Sequence, residues 1–438
     1  MTLNSQNIAL LGLGKENQAF LSWLFKHGYA GQITICDYLD QKQLETILKN
    51  NKVTLKNIKG LQWQVGRLFN QNLFDFEILF RSPGWPIACP GIQAALEKGV
   101  LLTSAMEYFL ATCPTSKTIG VTGSKGKGTT ASLITAILKR AGHKVWLGGN
   151  IGIAPFTFFD KIEKNDWVIL ELSSFQLEDL SLSPKYSVIT NLFKEHLAPA
   201  DPYNPNYHKS FHAYWQAKLQ IAINPNNKVL VINEKLKDKI EKENLDSKII
   251  YFSKASLPTN LKGDYNQENI GAAVALSKVL RIPTKTYSSA IKNFHNLEHR
   301  LEFVLEQRGI KYFDNSFSTT PESTILDLLS FTEPIIQIAG GADKGSSFKN
   351  LAQTIAKKVK ILILLKGEAT PRLLAEVKKT NFSDEKIFTA DSMEQALKIA
   401  KKNAVSGDVV LLSTACASFG IFKNYKERGD QFKLYARQ

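Results

Sequence analysis

From residue 8 to residue 413 the chain alternates short apolar, β-rich runs with amphipathic stretches. This is the pattern of βαβ units, in which parallel strands are linked by helices packed on the sheet. A chain of 438 residues is long enough for about three domains, and the runs fall into three groups. The first opens with an apolar strand over 8–11 that ends in Gly12-Leu13-Gly14. A helix over 19–26 and a strand over 33–36 reaching Asp37 follow, and the group closes near Thr103. The second predicts strands over 118–121, 145–147, 167–172, 186–190 and 228–232, with helices over 130–140 and 266–280. Pro199, Pro202 and Pro205 mark a surface-loop insertion within it. The third starts near Glu298, with strands over 303–305, 311–314, 335–339, 361–365 and 409–413 and a helix over 392–403. The predicted fold class is α/β: three domains, each a mainly parallel sheet with flanking helices.

Apolar residues at 44% and charged residues at 22% are the composition of a globular protein, not of a disordered one. Lysine and arginine exceed the acids by 55 − 40 = 15, a surplus that favours anionic ligands. The basic residues are scattered, with no basic run or arginine–aromatic stripe, so phosphorylated small molecules are expected and nucleic acid is not. The four cysteines, at 36, 89, 113 and 416, form no CxxC pair, which fits a reducing cytosol better than a zinc site or disulfide framework. The N-terminal segment lacks a basic start and cleavage site, and no run of about 18 apolar residues occurs. A cytoplasmic protein without a membrane segment is expected.

The segment 120–130, GVTGSKGKGTT, lies between a predicted strand and a predicted helix. Glycines there let backbone N–H groups close around phosphate oxygens, and the helix N-terminus adds positive partial charge. Lys127 is placed to reach the β- and γ-phosphates of ATP. Five residues separate Gly120 from Gly126, so the spacing departs from GxxxxGK[ST]. Gly128 occupies the place of the usual magnesium-holding hydroxyl, for which Thr129 or Thr130 could substitute. Glu171 ends an apolar strand, where active sites of open α/β sheets gather, and a hard carboxylate suits Mg2+. Gly12-Leu13-Gly14 also follows a strand, but Asn17 stands where a third glycine would complete a dinucleotide fingerprint.

Together the phosphate loop, GGNIG at 148–152, ELSSFQLE at 171–178, HRLE at 299–302 and the ending LSTACASF…FKNY…RGD at 412–430 resemble the Mur ligase family. The resemblance runs in family order through nearly the whole chain. It implies a Rossmann-like domain over 1–104 that holds a UDP-linked substrate, a central P-loop-type ATP domain over 105–297, and a Rossmann-like domain over 298–438 that binds glutamate and completes the ATP site. The implied reaction joins glutamate, expected to be the D enantiomer, to UDP-N-acetylmuramoyl-L-alanine through an acyl phosphate, with ATP and two Mg2+ ions, in the cytoplasm during peptidoglycan synthesis. A monomer, without nucleic-acid or membrane partners, is expected.

By the same resemblance, Lys127, Glu171, His196, Lys218 and Arg300 are the implied catalytic residues. Thr129, Glu171, His196 and Lys218, the last if carbamylated, would hold metal. Nucleotide positions are Gly123, Ser124, Lys125, Gly126, Lys127, Gly128, Thr129, Thr130, Asn266, Asn269, Arg300 and Asp314. Substrate positions are Gly14, Lys15, Asp37, Ser82, Gly84, Asn150 and Thr319, with Lys344, Ser413 and Phe422 facing glutamate. The chain departs from the family at Ala198, Tyr265, Phe317 and Thr414. Alternatives are a relative that adds L-glutamate and a folylpolyglutamate synthase, which shares the loop but not the GGNIG or ACAS phrases. Outside enzymology stands a nucleic-acid-binding module favoured by charge.

Overall fold

A computed structural model describes residues 3–51, 53, 61–197 and 206–438. Ala198 and the three-proline insertion lie outside them. Three sheets follow one another along the chain. The first contains β1 (Ile8–Leu11), β2 (Ile33–Asp37), β3 (Leu61–Val65), β4 (Ile78–Arg81) and β5 (Leu101–Thr103), in the order β3-β2-β1-β4-β5 and wholly parallel. The second contains β6 (Thr118–Thr122), β7 (Val145–Gly149), β8 (Trp167–Glu171), β9 (Tyr186–Ile189), β10 (Val229–Asn233) and β11 (Lys248–Phe252). Its order is β11-β10-β9-β6-β8-β7, again all parallel. The third contains β12 (Glu302–Gln307), β13 (Ile310–Asn315), β14 (Ile335–Ala339), β15 (Val359–Leu365), β16 (Ile387–Ala390) and β17 (Val409–Ser413), ordered β12-β13-β17-β14-β15-β16. Only the β12–β13 hairpin is antiparallel among its pairings.

The central strands β1, β6, β8 and β17 are buried along their whole length because helices cover both faces, which is why they read as unbroken apolar runs. Each large aliphatic side chain so buried contributes about 1.5–3 kcal/mol. Among the described residues, no helix is long and apolar enough to cross a membrane.

The chain divides into two compact units, 1–255 with 268–291, and 256–267 with 292–438. The first unit carries two sheets and the second carries the third. Within the first unit, Phe20, Phe80, Tyr108 and Phe156 join the first two lobes through ring contacts with centroids 4.7–6.3 Å apart. A polar clasp reinforces this packing. Arg81, 1% exposed at the end of β4, donates from Nε to Asp179 at 2.6 Å and from Nη2 to the Phe175 carbonyl at 2.7 Å, and its Nη1 lies 3.0 Å from Glu178. The guanidinium fork satisfies several acceptors at once, so a buried charge is tolerated there.

Candidate active site

In the second sheet β6 lies between β8 and β9, so connections leave it in opposite directions and open a crevice at its carboxyl end. The loop 123–126 occupies that crevice, and the helix Lys127–Arg140 starts directly after it. The helix begins one turn earlier than periodicity predicts, because Lys127, Gly128 and Thr129 are polar or small and hide the apolar repeat. Gly126 has φ +80°, and an added Cβ would overlap Asn269 Oδ1. At Gly123, φ +143°, it would overlap Thr190 Oγ1. The loop is strapped to the segment after β9: Ser124 N–H donates to the Asn191 carbonyl at 3.1 Å, Lys125 N–H to Asn191 Oδ1 at 2.8 Å, and Thr190 Oγ1 to the Lys125 carbonyl at 2.7 Å.

Lys127 and Lys218 converge on one atom. Both ammonium groups reach the Gly123 carbonyl, at 2.7 and 3.0 Å, and Lys127 also donates to the Ser124 carbonyl at 3.0 Å. Lys218 is on the buried side of the helix Phe211–Ile223, only 1% exposed, with Nζ 4.5 Å from the Tyr214 ring centroid. Burial, and then the Lys127 charge, push its pKa well below the ordinary lysine value, although Glu195 and Glu171 oppose the shift. Its amine therefore gives up a proton more readily than an ordinary lysine does, and the deprotonated form is a nucleophile.

Glu171 closes β8 opposite Val121 and is 2% exposed. Asn150 holds it by donating from Nδ2 to Oε1 at 3.1 Å and from its backbone N–H to the Glu171 carbonyl at 2.8 Å. Gly149, φ +101°, permits this approach, since a side chain there would meet the Glu171 carbonyl oxygen. Glu171 Oε2 is buried without a hydrogen-bond partner among the described residues. A buried carboxylate oxygen left in that state carries a desolvation cost that a hard cation would remove, so the residues fit a Mg2+ ion. The next residues turn sharply because Ser173 and Gln176 form a reciprocal capping box at the start of the helix Ser174–Leu177.

His196 has φ +56° and its side chain is 45% exposed, with its ring 5.2 Å from Phe175. Burial lowers its pKa, with Glu195 opposing and Lys127, Lys218 and Lys125 adding to the fall. Sequence reasoning passed over Glu195 and Tyr214. Tyr214 donates to Glu195 Oε1 at 2.8 Å and its oxygen lies 2.9 Å from Ser124 Oγ. Burial alone would raise the Glu195 carboxyl, but Lys125, Lys127, His196 and Lys218 hold it at about 2. It is therefore a fixed anion beside the loop lysines, and its place next to His196 was the only signal in the sequence. Thr129 and Thr130 are both buried, and Thr130 Oγ1 lies 3.4 Å from Asn269 Oδ1. Asn266, three residues earlier on the helix Asp264–Val279, donates to the Lys262 carbonyl at 2.6 Å.

The first sheet has its own crevice, between β2 and β4 at the end of β1. Asp37 Oδ2 accepts from Leu13 N–H at 2.8 Å, and Gly14 packs against Ser82 so closely that a Cβ would lie 2.8 Å from its hydroxyl. Lys15 and Gly84 are exposed at the rim. Asn17 ties the turn together from the third-glycine position, donating to the Gly12 carbonyl at 2.8 Å and the Phe80 carbonyl at 3.2 Å.

In the second unit, Arg300 stacks on Phe317, its guanidinium carbon 3.7 Å from the ring centroid. Asp314 is fully buried and accepts from His299 Nδ1–H at 2.7 Å and from Ser316 N–H at 2.8 Å. Lys344 and Thr319 are partly exposed on loops. Arg372 braces the Lys344 loop by donating to both carboxylate oxygens of Asp343, at 2.7 and 2.6 Å, and to the Ser346 carbonyl at 3.0 Å. Ser413 and Phe422 are buried; Ser413 Oγ donates to Asp327 at 2.6 Å, and Phe422 packs in an apolar cluster with Phe432.

A glycine-rich loop at the switch point of a parallel sheet, with paired lysines and an orphaned carboxylate oxygen, defines a phosphate-handling α/β enzyme. The sequence matches the Mur ligase middle domain over residues 121–292 and the Mur ligase glutamate ligase domain over 299–416. It is 36% identical to a UDP-N-acetylmuramoylalanine–D-glutamate ligase of Clostridium tetani, covering 99% of this chain and 97% of that protein. A protein of the same name from Acetivibrio thermocellus is 35% identical, over 98% and 96%. The fold is similar to the UDP-N-acetylmuramate–alanine ligase MurC of Thermotoga maritima, with a TM-score of 0.60 at 17% identity, covering 99% of each chain. It is equally similar to the MurF ligase of Thermotoga maritima in complex with ADP, at 13% identity over 99% and 96% of the chains. The chain belongs to the Mur ligase family and is a ligase that forms an amide bond at the expense of ATP.

Proposed function

We propose that this enzyme joins D-glutamate to UDP-N-acetylmuramoyl-L-alanine, releasing ADP and phosphate, as a cytoplasmic, monomeric step of peptidoglycan synthesis. The carrying observation is the convergence of Lys127, Lys218 and Glu171 at the carboxyl end of the central sheet. The D enantiomer is supported by relatives above 30% identity over nearly their whole length, each named for D-glutamate. The domains assigned are 1–104 for the UDP moiety, 105–297 for ATP and 298–438 for glutamate.

In this reading the alanyl carboxylate takes the γ-phosphoryl group of ATP, and the glutamate amine attacks the resulting acyl phosphate. The tetrahedral adduct then expels phosphate. The protein contributes position and charge more than covalent help. The ammonium of Lys127 leaves the Gly123 and Ser124 carbonyls for the transferring phosphate, and the loop N–H groups orient it. Bound Mg2+ would neutralise phosphate charge, held by Glu171, with Thr129, His196 and Lys218 as further ligands. Lys218 serves as a ligand after its neutral amine adds to carbon dioxide and loses a proton, which turns a would-be cation into a carbamate anion; isotopically labelled bicarbonate followed by NMR tests this. Arg300 and Asp314 serve the nucleotide together with Asn266 and Asn269. Lys344, Thr319, Ser413 and Phe422 form the glutamate side, and Gly14, Lys15, Asp37, Ser82, Gly84 and Asn150 serve the UDP-linked acid.

Lys127→Ala tests the assignment. Glutamate-dependent ADP release should fall at least about 100-fold, with thermal unfolding unchanged. Full activity in that variant would remove the basis of the reading.

A further inference from the structure

The amino end of the central sheet, opposite the phosphate loop, contains a cavity of about 700 Å3 lined in part by Lys117, Lys164, Lys185 and Lys228. The parallel register assembles these lysines. Lys117, Lys185 and Lys228 immediately precede β6, β9 and β10, and Lys164 comes shortly before β8. Those four strands are neighbours in the sheet. Lys228 N–H donates to the Lys185 carbonyl at 2.8 Å, and Val168 N–H to the Lys117 carbonyl at 3.0 Å, so the row is fixed by the backbone ladder. Lys117 Nζ donates to the Asn165 carbonyl at 3.1 Å, holding one ammonium at the wall.

Among the described residues, no aspartate or glutamate lines this space. The acids nearby in sequence are engaged elsewhere: Asp166 accepts from Trp146 at 2.8 Å, Glu163 pairs with Lys144 at 2.7 Å, and Glu107 accepts from the backbone of Ser181 and Leu182. Four like charges around one concavity focus positive potential into it. Lysine ammonium groups are point-charge donors that suit phosphate oxygens, and the volume is that of a small-molecule site. The five residues of β6 separate this end of the sheet from the loop by about 16 Å at the usual strand rise. A ligand here is therefore not the phosphate that the loop holds.

We propose that the lysine-ringed cavity is a second anion site, specific for a small, multiply charged phosphorylated molecule. Titrating inorganic pyrophosphate into the full chain preloaded with a non-hydrolysable ATP analogue and Mg2+ tests it, with Lys164→Glu/Lys228→Glu as the comparison. Both lysines are exposed, so the double variant should fold and unfold as the parent does. Saturable binding that weakens at least tenfold in the double variant, and weakens with added salt in the parent, is the expected result. Pyrophosphate binding that is absent, or identical in the two proteins, overturns the proposal. Anionic phospholipid vesicles form a parallel arm: binding to vesicles without binding to pyrophosphate would also overturn it, because the cavity would then serve a surface and not a soluble anion.

Discussion

Replacing Lys218 with methionine should separate catalysis from stability in opposite directions. The amine is 1% exposed, and burial together with Lys127 disfavours its charged form. Methionine fills a similar volume, and the Gly123 carbonyl retains Lys127 as a donor at 2.7 Å. The variant thus loses one hydrogen bond of about 1 kcal/mol and a cation–π contact with Tyr214 of about 1 kcal/mol, and is relieved of the cost of taking an ionisable amine out of water, which is several kcal/mol. The balance is a gain of about 1–3 kcal/mol at pH 7, or roughly 2–5 °C in Tm for a unit of this size. The pH dependence has a definite sign. A folded-state pKa below the unfolded value of 10.5 means that wild-type stability is fully present above that value and declines as pH falls. The advantage of Lys218→Met should therefore shrink as pH rises from 7 towards 10. Thermal unfolding of both proteins in bicarbonate-free, magnesium-free buffer measures the gap, and glutamate-dependent ADP release should be lost in the variant. A variant less stable than wild type at pH 7, or a gap that ignores pH, would refute the reasoning.

Two further outcomes follow from the same geometry. Gly126→Ala forces a side chain into φ +80° and onto Asn269 Oδ1, so affinity for an ATP analogue measured by calorimetry should fall at least about tenfold, or about 1.4 kcal/mol; unchanged affinity would mean that the loop does not hold the nucleotide. His208 is buried against Ser174 Oγ at 2.9 Å, and burial, then the charges of His196, Lys218 and Arg81, lower its pKa to about 4 from 6.5. Its contribution to stability is complete above pH 6.5 and is lost as pH falls to 4, up to about 3 kcal/mol. The nearby Glu178, 3.7 Å from His208 Nδ1 and raised to about 7 chiefly by burial, slopes the other way, so the difference between wild type and His208→Phe in Tm across pH 4–7 reports the histidine together with its coupling to Glu178. A flat difference would contradict the assignment.

Much of the fold was legible in the sequence because parallel strands buried on both faces leave unbroken apolar runs. The strands at Ile8–Leu11, Ile335–Ala339 and Val409–Ser413 have the predicted bounds. Edge strands such as Leu61–Val65 and Lys248–Phe252 are only partly buried, carry polar residues and gave no such signal. Motif words led to Glu171 and Lys127, since glycines at positive φ and a capping box demand particular residue types. The Arg81 clasp and Glu195 were not legible. Their partners are far apart in the chain or carry no repeating pattern, and only the folded chain brings Arg81 to Asp179, or Tyr214 to Glu195.

The central claim is that the phosphate loop, Lys218 and Glu171 serve amide-bond formation on a nucleotide-linked acid. Incubating the enzyme with ATP, Mg2+ and UDP-N-acetylmuramoyl-L-alanine, with D- or L-glutamate in turn, and following ADP and amide product tests it directly. D-glutamate should support stoichiometric release of ADP and formation of the amide, and L-glutamate should support neither. ADP release with L-glutamate alone would contradict the stated stereochemistry, and no product with either enantiomer would contradict the function itself.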